Sequence, residues 1–148
     1  MNEAQDIHGG VVSLWHDGRL HGVLIEGPSG SGKSDLALRA LERGFNLVSD
    51  DRTLLWVSGG ALFGRAPESL AGLIEVRGLD VVRKPYRRLS RIDLVVACAA
   101  GRDSIERLPP RQTVVRMGVE LPLLPLWPFE PAAMAKLHHA ARHLGGGR

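Results

Sequence analysis

The sequence predicts an α/β fold on a mixed central sheet, and three observations carry that reading. The apolar run Val23-Leu24-Ile25 leads into Gly27-Pro28-Ser29-Gly30-Ser31-Gly32-Lys33-Ser34, and a helix is expected over residues 35–41. A second apolar run, Asn46-Leu47-Val48-Ser49, follows that helix. Pairs of strand-like segments around short glycine turns stand on both sides of this unit. Strand, helix, strand gives parallel strands through a crossover. Glycine hairpins give antiparallel ones.

The elements follow in order. Residues 11–15 and 20–25 read as strands joined by His16-Asp17-Gly18-Arg19, whose Asp-Gly is a hairpin signal. Gly44 is placed to close the helix as its C′ residue. Residues 46–49 are expected to run parallel to the strand that enters the loop. Residues 53–57 and 61–63 form a second hairpin around Ser58-Gly59-Gly60. Residues 92–97 are a further core strand, and residues 113–116 a weaker one. Pro122, Pro125, Pro128 and Pro131 argue against regular helix or inner strand over residues 121–131, leaving an extended crossing segment. A closing helix is expected over residues 132–144, with Pro131 near its start and Gly145-Gly146-Gly147 beyond it.

Composition narrows the class. The 148 residues suit one domain spanning 1–148. The hydrophobic fraction of 44% and charged fraction of 24% are those of a globular protein. No apolar run is long enough to span a bilayer, so no membrane partner is expected. The start, Met1-Asn2-Glu3-Ala4-Gln5-Asp6, is polar and unlike a secretion signal. The single cysteine, Cys98, excludes an intramolecular disulfide and reads as a buried core thiol. A cytoplasmic location is expected.

The formal net charge is +3, and Arg83-Lys84, Arg87-Arg88 and Arg91 concentrate it. That stretch reads equally as a solvated loop or as a docking surface for an acidic partner or phosphate. With 5% aromatic residues there are few platforms for stacked bases, and no nucleic-acid partner is expected. His138, His139 and His143 read as a solvent-exposed helix end rather than a metal site, since no acidic or cysteine ligand is near them in sequence.

Three groups of residues carry chemistry. The loop 27–34 fits the pattern Gly, four residues, Gly-Lys-Ser in its strand–loop–helix context. Its backbone N–H groups and the helix N-terminus suit a phosphate. Lys33 can reach the outer phosphates, and the Ser34 hydroxyl can serve magnesium. Asp50-Asp51 leaves the carboxyl end of the next strand, where ligands of open α/β sheets bind. Such a pair can hold magnesium or supply a general base. In Glu75-Val76-Arg77-Gly78, Glu75 and Arg77 point to one side, a carboxylate for metal beside an arginine for phosphate. An ion-paired surface strand explains that last pattern equally well.

Taken together, the loop, Leu47-Val48-Ser49-Asp50-Asp51, and Ala66-Pro67 with Glu75-Val76-Arg77-Gly78-Leu79 resemble the C-terminal catalytic domain of the HPr kinase/phosphorylases. The resemblance covers roughly residues 7 to 98 and is similar to short alphaproteobacterial forms lacking the N-terminal domain. It implies a P-loop kinase core with a mixed sheet, an N-terminal hairpin and a C-terminal helix. It implies an ATP- and Mg²⁺-dependent protein-serine kinase acting on HPr, the phosphocarrier of the sugar phosphotransferase system, with phosphorolysis as the reverse reaction. Asp50 would be the base and Asp51 its support or a metal contact. Ser34 and Glu75 would contact magnesium. Arg77 would belong with the catalytic set, and the loop from Gly27 to Ser34 would bind the nucleotide. Ile7-His8-Gly9 resembles the family's histidine near the catalytic acid, with His21 as the rival. Longer members are hexamers, but the resemblance is to forms lacking their N-terminal domain and the sequence locates no interface, so a homo-oligomer stays open and no oligomeric state is assigned.

The chain also departs from the family pattern. Asp35 stands where many members have glutamate, and Asp80 interrupts the glycines after Leu79. Residues 81–86 abbreviate an element that is mobile in longer members, with Arg83 or Arg87 in place of its arginine. The C-terminal basic motif tied to phosphorolysis has no clear counterpart, so kinase activity is better supported than phosphorylase activity. Two alternatives stay open. One is an ATP-binding regulatory module with weak or no transfer. The other is a P-loop kinase for another protein or for a small molecule, and the small-molecule version needs residues 83–91 to lie over the loop.

Overall fold

The computed structural model describes residues 3–144. β1 (Gln5–His8) precedes a long hairpin of β2 (Gly10–His16) and β3 (Arg19–Glu26). Its turn forms because Asp17 and Gly18 both adopt positive φ, 54° and 86°, which matches the twist of the flanking strands. α1 (Lys33–Leu41) leaves the glycine loop. It ends with Gly44 at φ 93° and the Phe45 N–H donating to the Ala40 carbonyl, as expected for a glycine at C′. β4 (Asn46–Ser49) follows. The second hairpin is β5 (Arg52–Ser58) and β6 (Ala61–Arg65), with both turn glycines at positive φ. β7 (Leu73–Val76) and β8 (Asp80–Arg83) make a separate small ribbon. β9 (Ser90–Cys98), β10 (Gln112–Arg116), β11 (Val119–Leu126) and α2 (Ala133–His143) complete the order. The glycines at 145–147 lie outside the described residues.

The main sheet runs β1-β5-β6-β9-β3-β2-β4. β3 and β9 are parallel, and β2 is antiparallel to both β3 and β4. β4 therefore points the same way as β3, as the crossover requires, but β2 lies between them. A strand preceding the crossover can take the neighbouring place because hairpin pairing with β3 is local.

The expectation for residues 121–131 is corrected in part. Residues 119–126 are a strand, and an inner one: β11 pairs antiparallel with β10 and parallel with β9. Prolines are tolerated because the two pairings are staggered. Pro122 faces only Thr113 of β10, and Pro125 faces only Ala97 of β9. Each proline thus sits where one flank is open, and its missing N–H breaks no two-sided ladder. β9 has room for this partner because β6 pairs only with its residues 90–92.

Both faces of the sheet are buried, which explains the unbroken apolar runs in β3 and β9. Val23, Ile25, Leu94 and Val96 face the helices, packing with Leu36, Ala37 and Ala40 of α1 and Leu137 and Ala141 of α2. Leu24, Val95, Val48 and Val11 face the other way, against Leu55 and Leu62 of the second hairpin and Leu121 of β11. The period-2 alternation of strands divides one run between two cores. Among the described residues no helix is long and apolar enough to cross a membrane.

Candidate functional site

The parallel and co-directional strands β3, β9, β11 and β4 end on one edge of the sheet, and that edge carries the polar residues singled out above. The loop leaves β3 through Gly27, at φ 157°, where an added Cβ would lie 2.7 Å from the Ser31 hydroxyl and 2.9 Å from Cys98 Cβ. No larger residue fits that first turn. Cys98 is buried beneath it, and burial pushes its thiol up to about 11 against a smaller opposing pull from the Lys33 charge. The expectation of a buried core thiol agrees with this placement. Lys33 folds over the loop, its ammonium donating to the carbonyls of Gly27 (2.7 Å) and Pro28 (3.0 Å).

Ser34, in the first turn of α1, donates its hydroxyl proton to Asp50 Oδ1 at 2.8 Å. The Glu75 backbone N–H donates to Asp50 Oδ2 at 2.9 Å. Three elements thus converge on one carboxylate: the loop helix, the end of β4 and the small ribbon. Ile74, fully buried against the α1 core, fixes the ribbon at this height. Asp50 is itself buried, and burial raises its carboxyl above the ordinary value, opposed by these two hydrogen bonds and reinforced by the charges of Asp51 and Glu75.

Asp51 differs from Asp50 in exposure and backbone. It is exposed and takes a left-handed conformation at φ 68°, rare for a residue other than glycine. Its carbonyl accepts the Gly9 N–H at 2.9 Å. Thr53 braces the same turn by donating to the Gly9 carbonyl (2.8 Å), with Ser49 Oγ 2.5 Å from its hydroxyl. The turn flips Asp51 outward while Asp50 points inward.

A cleft of about 170 Å³ lies above this arrangement. Lys33, Ser34, Asp51, Glu75, Arg77 and Phe129 line it. Glu75 and Arg77 therefore do share a side, as their spacing predicts. The two histidines separate cleanly. His8 ends β1 opposite Arg52, next to the acid-pair turn, though it does not line the cleft. His21 is buried near the opposite end of β3, with Nε2 2.9 Å from the His16 carbonyl oxygen and Nδ1 3.7 Å from Asp93. None of the basic residues 83–91 lines the cleft. The Arg87 N–H donates to the Leu47 carbonyl at 2.7 Å, holding that segment along β4. His139 and His143 are exposed, and His138 stands edge-on to Phe45.

A family model described as the HPr serine kinase C-terminal domain matches residues 1–124. The chain belongs to this family. A relative in Bordetella pertussis, named HPr kinase/phosphorylase, is 42% identical over 98 residues, covering 60% of this chain and 32% of its own length. One of the same name in Mycoplasmopsis pulmonis is 43% identical over 76 residues, covering 51% and 23%. The chain thus spans about a third or less of these relatives. The Hpr(Ser) kinase/phosphatase structure from Coxiella burnetii superposes with a TM-score of 0.74 at 22% identity, over 93% of this chain and 98% of that one. That likeness supports the α/β fold with its mixed sheet and closing helix.

Two members of the site had no signal in the local sequence. Phe129 lies in the proline-rich stretch and reaches the cleft only through tertiary packing. Thr53 reads as an ordinary strand residue, and its bracing contact to Gly9 spans 44 positions.

Proposed function

We propose that this chain is an ATP-dependent protein-serine kinase acting on HPr, running phosphorolysis in reverse at the same site. One observation carries the reading: the Ser34 hydroxyl and the buried Asp50 carboxylate meet at 2.8 Å below a phosphate-sized cleft that Asp51 enters from the solvent side.

The donors fit magnesium. A hydroxyl and a carboxylate oxygen, both hard, meet beside the phosphate loop, and Mg²⁺ takes one or two protein oxygens with phosphates and water completing its shell. Ser34 and Asp50 would hold it, with the Glu75 carboxylate at the cleft as a further contact. When bound, the ion neutralises charge that builds on the phosphates during transfer.

The remaining steps belong to the chain's own groups. The loop N–H groups and Lys33 bind the phosphates, Lys33 exchanging two carbonyl partners for phosphate oxygens. Arg77 binds the transferring group. The acceptor serine oxygen bonds to the γ-phosphorus as the bond to the β–γ bridging oxygen breaks, and ADP leaves. The serine proton passes to a carboxylate. The family resemblance puts Asp50 in that role, and its raised pKa suits a base. Access favours Asp51: both Asp50 oxygens are engaged by donors, whereas Asp51 lines the cleft. We therefore assign proton acceptance to Asp51 and metal holding to Asp50, with His8 beside the turn as a positioning residue.

Incubation with labelled ATP, Mg²⁺ and HPr tests the reading. Label on an HPr serine is the expected result. Tight ATP binding with HPr unlabelled overturns the kinase reading for that substrate. The pinned position of residues 83–91 offers no lid over the loop of the kind a small-molecule kinase needs.

A further inference from the structure

Phe129 is 56% exposed, yet its position is built rather than loose. The ring lies against Gly32 of the phosphate loop: a Cβ on Gly32 would sit 2.8 Å from Phe129 Cζ and 3.1 Å from Pro128 Cβ. Only glycine allows that approach. Pro128 is buried beside it, and its carbonyl accepts from the Arg39 guanidinium, which Asp35 also holds at 3.0 Å. α1 and the segment after β11 are thus joined around the loop, and the Phe129 ring, more than half exposed, lines the cleft.

The strand order gives this face a meaning. The acid pair leaves β4 on one side of β3, and Phe129 follows β11 on the other. A triphosphate whose outer end points to Asp50 and Asp51 must carry its sugar and base away from them, toward β11. We propose that Phe129 is the platform on which the purine base of the bound nucleotide stacks, so that residues beyond the family-matched stretch complete the nucleotide site. The inference rests on the nucleotide reading above and adds the element that grips the base. Every base presents a π-face, so a single aromatic platform grips purines without distinguishing adenine from guanine.

Calorimetric titration of the full chain with ATP, GTP and inorganic tripolyphosphate tests it. In Phe129→Ala, ATP and GTP are expected to bind roughly tenfold more weakly, the scale of one base–aromatic stack. Tripolyphosphate affinity stays unchanged, and Phe129→Trp retains ATP affinity. Equal losses for ATP and tripolyphosphate would reduce Phe129 to a packing role for the loop and overturn the proposal. So would unchanged ATP affinity accompanied by a raised KM for HPr, which makes the ring a protein contact. Wild-type protein that binds tripolyphosphate as tightly as ATP rejects the platform alone. Wild-type protein that binds neither rejects the nucleotide reading, and the platform with it.

Discussion

Two buried carboxylates stand at opposite ends of the parallel strands, Asp50 just beyond β4 and Asp93 near the start of β9, and they are held in opposite ways. Asp50, beside the loop end, is 8% exposed, and Asp93, beside the hairpin end, is 5% exposed. Asp93 faces cations: Arg19 grips it with both terminal guanidinium nitrogens at 3.0 and 3.2 Å, and Arg91 approaches to 3.2 Å. Asp50 faces neutral donors, the Ser34 hydroxyl and the Glu75 N–H, and the negative charges of Asp51 and Glu75. Among the described residues no cationic side chain pairs with it. A buried acid with its cations supplied by the fold is structural. One surrounded by donors and other acids has its charge left to be met by a ligand.

Four measurements test this contrast. The largest effect is expected at the functional end. Asp51→Asn should lower phosphoryl transfer by at least about 100-fold, the scale of losing a general base, while ATP binding persists. Steady-state labelling of HPr measures it, and near-normal turnover removes Asp51 from the role.

The structural end should respond in stability instead. Asp93→Ala is expected to cost about 2 kcal/mol, below the usual cost of breaking a buried pair because both arginines reach solvent and rehydrate. Urea unfolding measures it, and nucleotide affinity should not move. Loss of ATP binding in a folded Asp93→Ala protein would dissolve the distinction between the two ends.

A smaller and opposite effect is expected for Asp50→Asn. The folded carboxyl binds its proton more tightly than the unfolded one, whose ordinary value is 3.8. Its contribution to stability is therefore present at low pH and falls as pH rises from about 4 through the raised value. The asparagine variant removes that loss. Thermal melting should show it gaining on the wild type between acid and neutral pH. Magnesium with ATP should raise the wild-type Tm at neutral pH more than that of the variant. A variant that instead loses ground as pH rises would mean that Asp50 is already charge-compensated.

The smallest effect belongs to Arg91→Ala, which leaves the Arg19 fork on Asp93 intact. A half-exposed arginine in such a pair is worth less than about 1 kcal/mol, readable as a small shift in the urea midpoint. A larger cost would mean that Asp93 depends on both arginines together.

Legibility followed distance along the chain. The loop, its helix and the first hairpin were readable because each depends on a few adjacent residues: glycines that supply positive φ, a Lys-Ser at a helix start, an Asp-Gly turn. β11 was misread by a rule that is sound for strands paired on both flanks along their whole length. That rule gave no warning that β9 would share one flank between β6 and β11. The position of β2 between β3 and β4 was likewise invisible, because crossover direction fixes orientation and not adjacency.

The amino-acid order alone placed a glycine loop of phosphate-binding pattern at residues 27–34, between a strand and a helix, and set acids beyond the next strand. Both follow from local backbone geometry and the direction of a crossover. Which acid turns inward and which meets the cleft was set by long-range packing, since it depends on Ser34, Glu75, Gly9 and Thr53 arriving from four segments. That packing alone set His8 beside the acid pair and His21 near the far end of β3. It alone brought Phe129 to Gly32, ninety-odd positions back along the chain, because packing between remote segments has no local code.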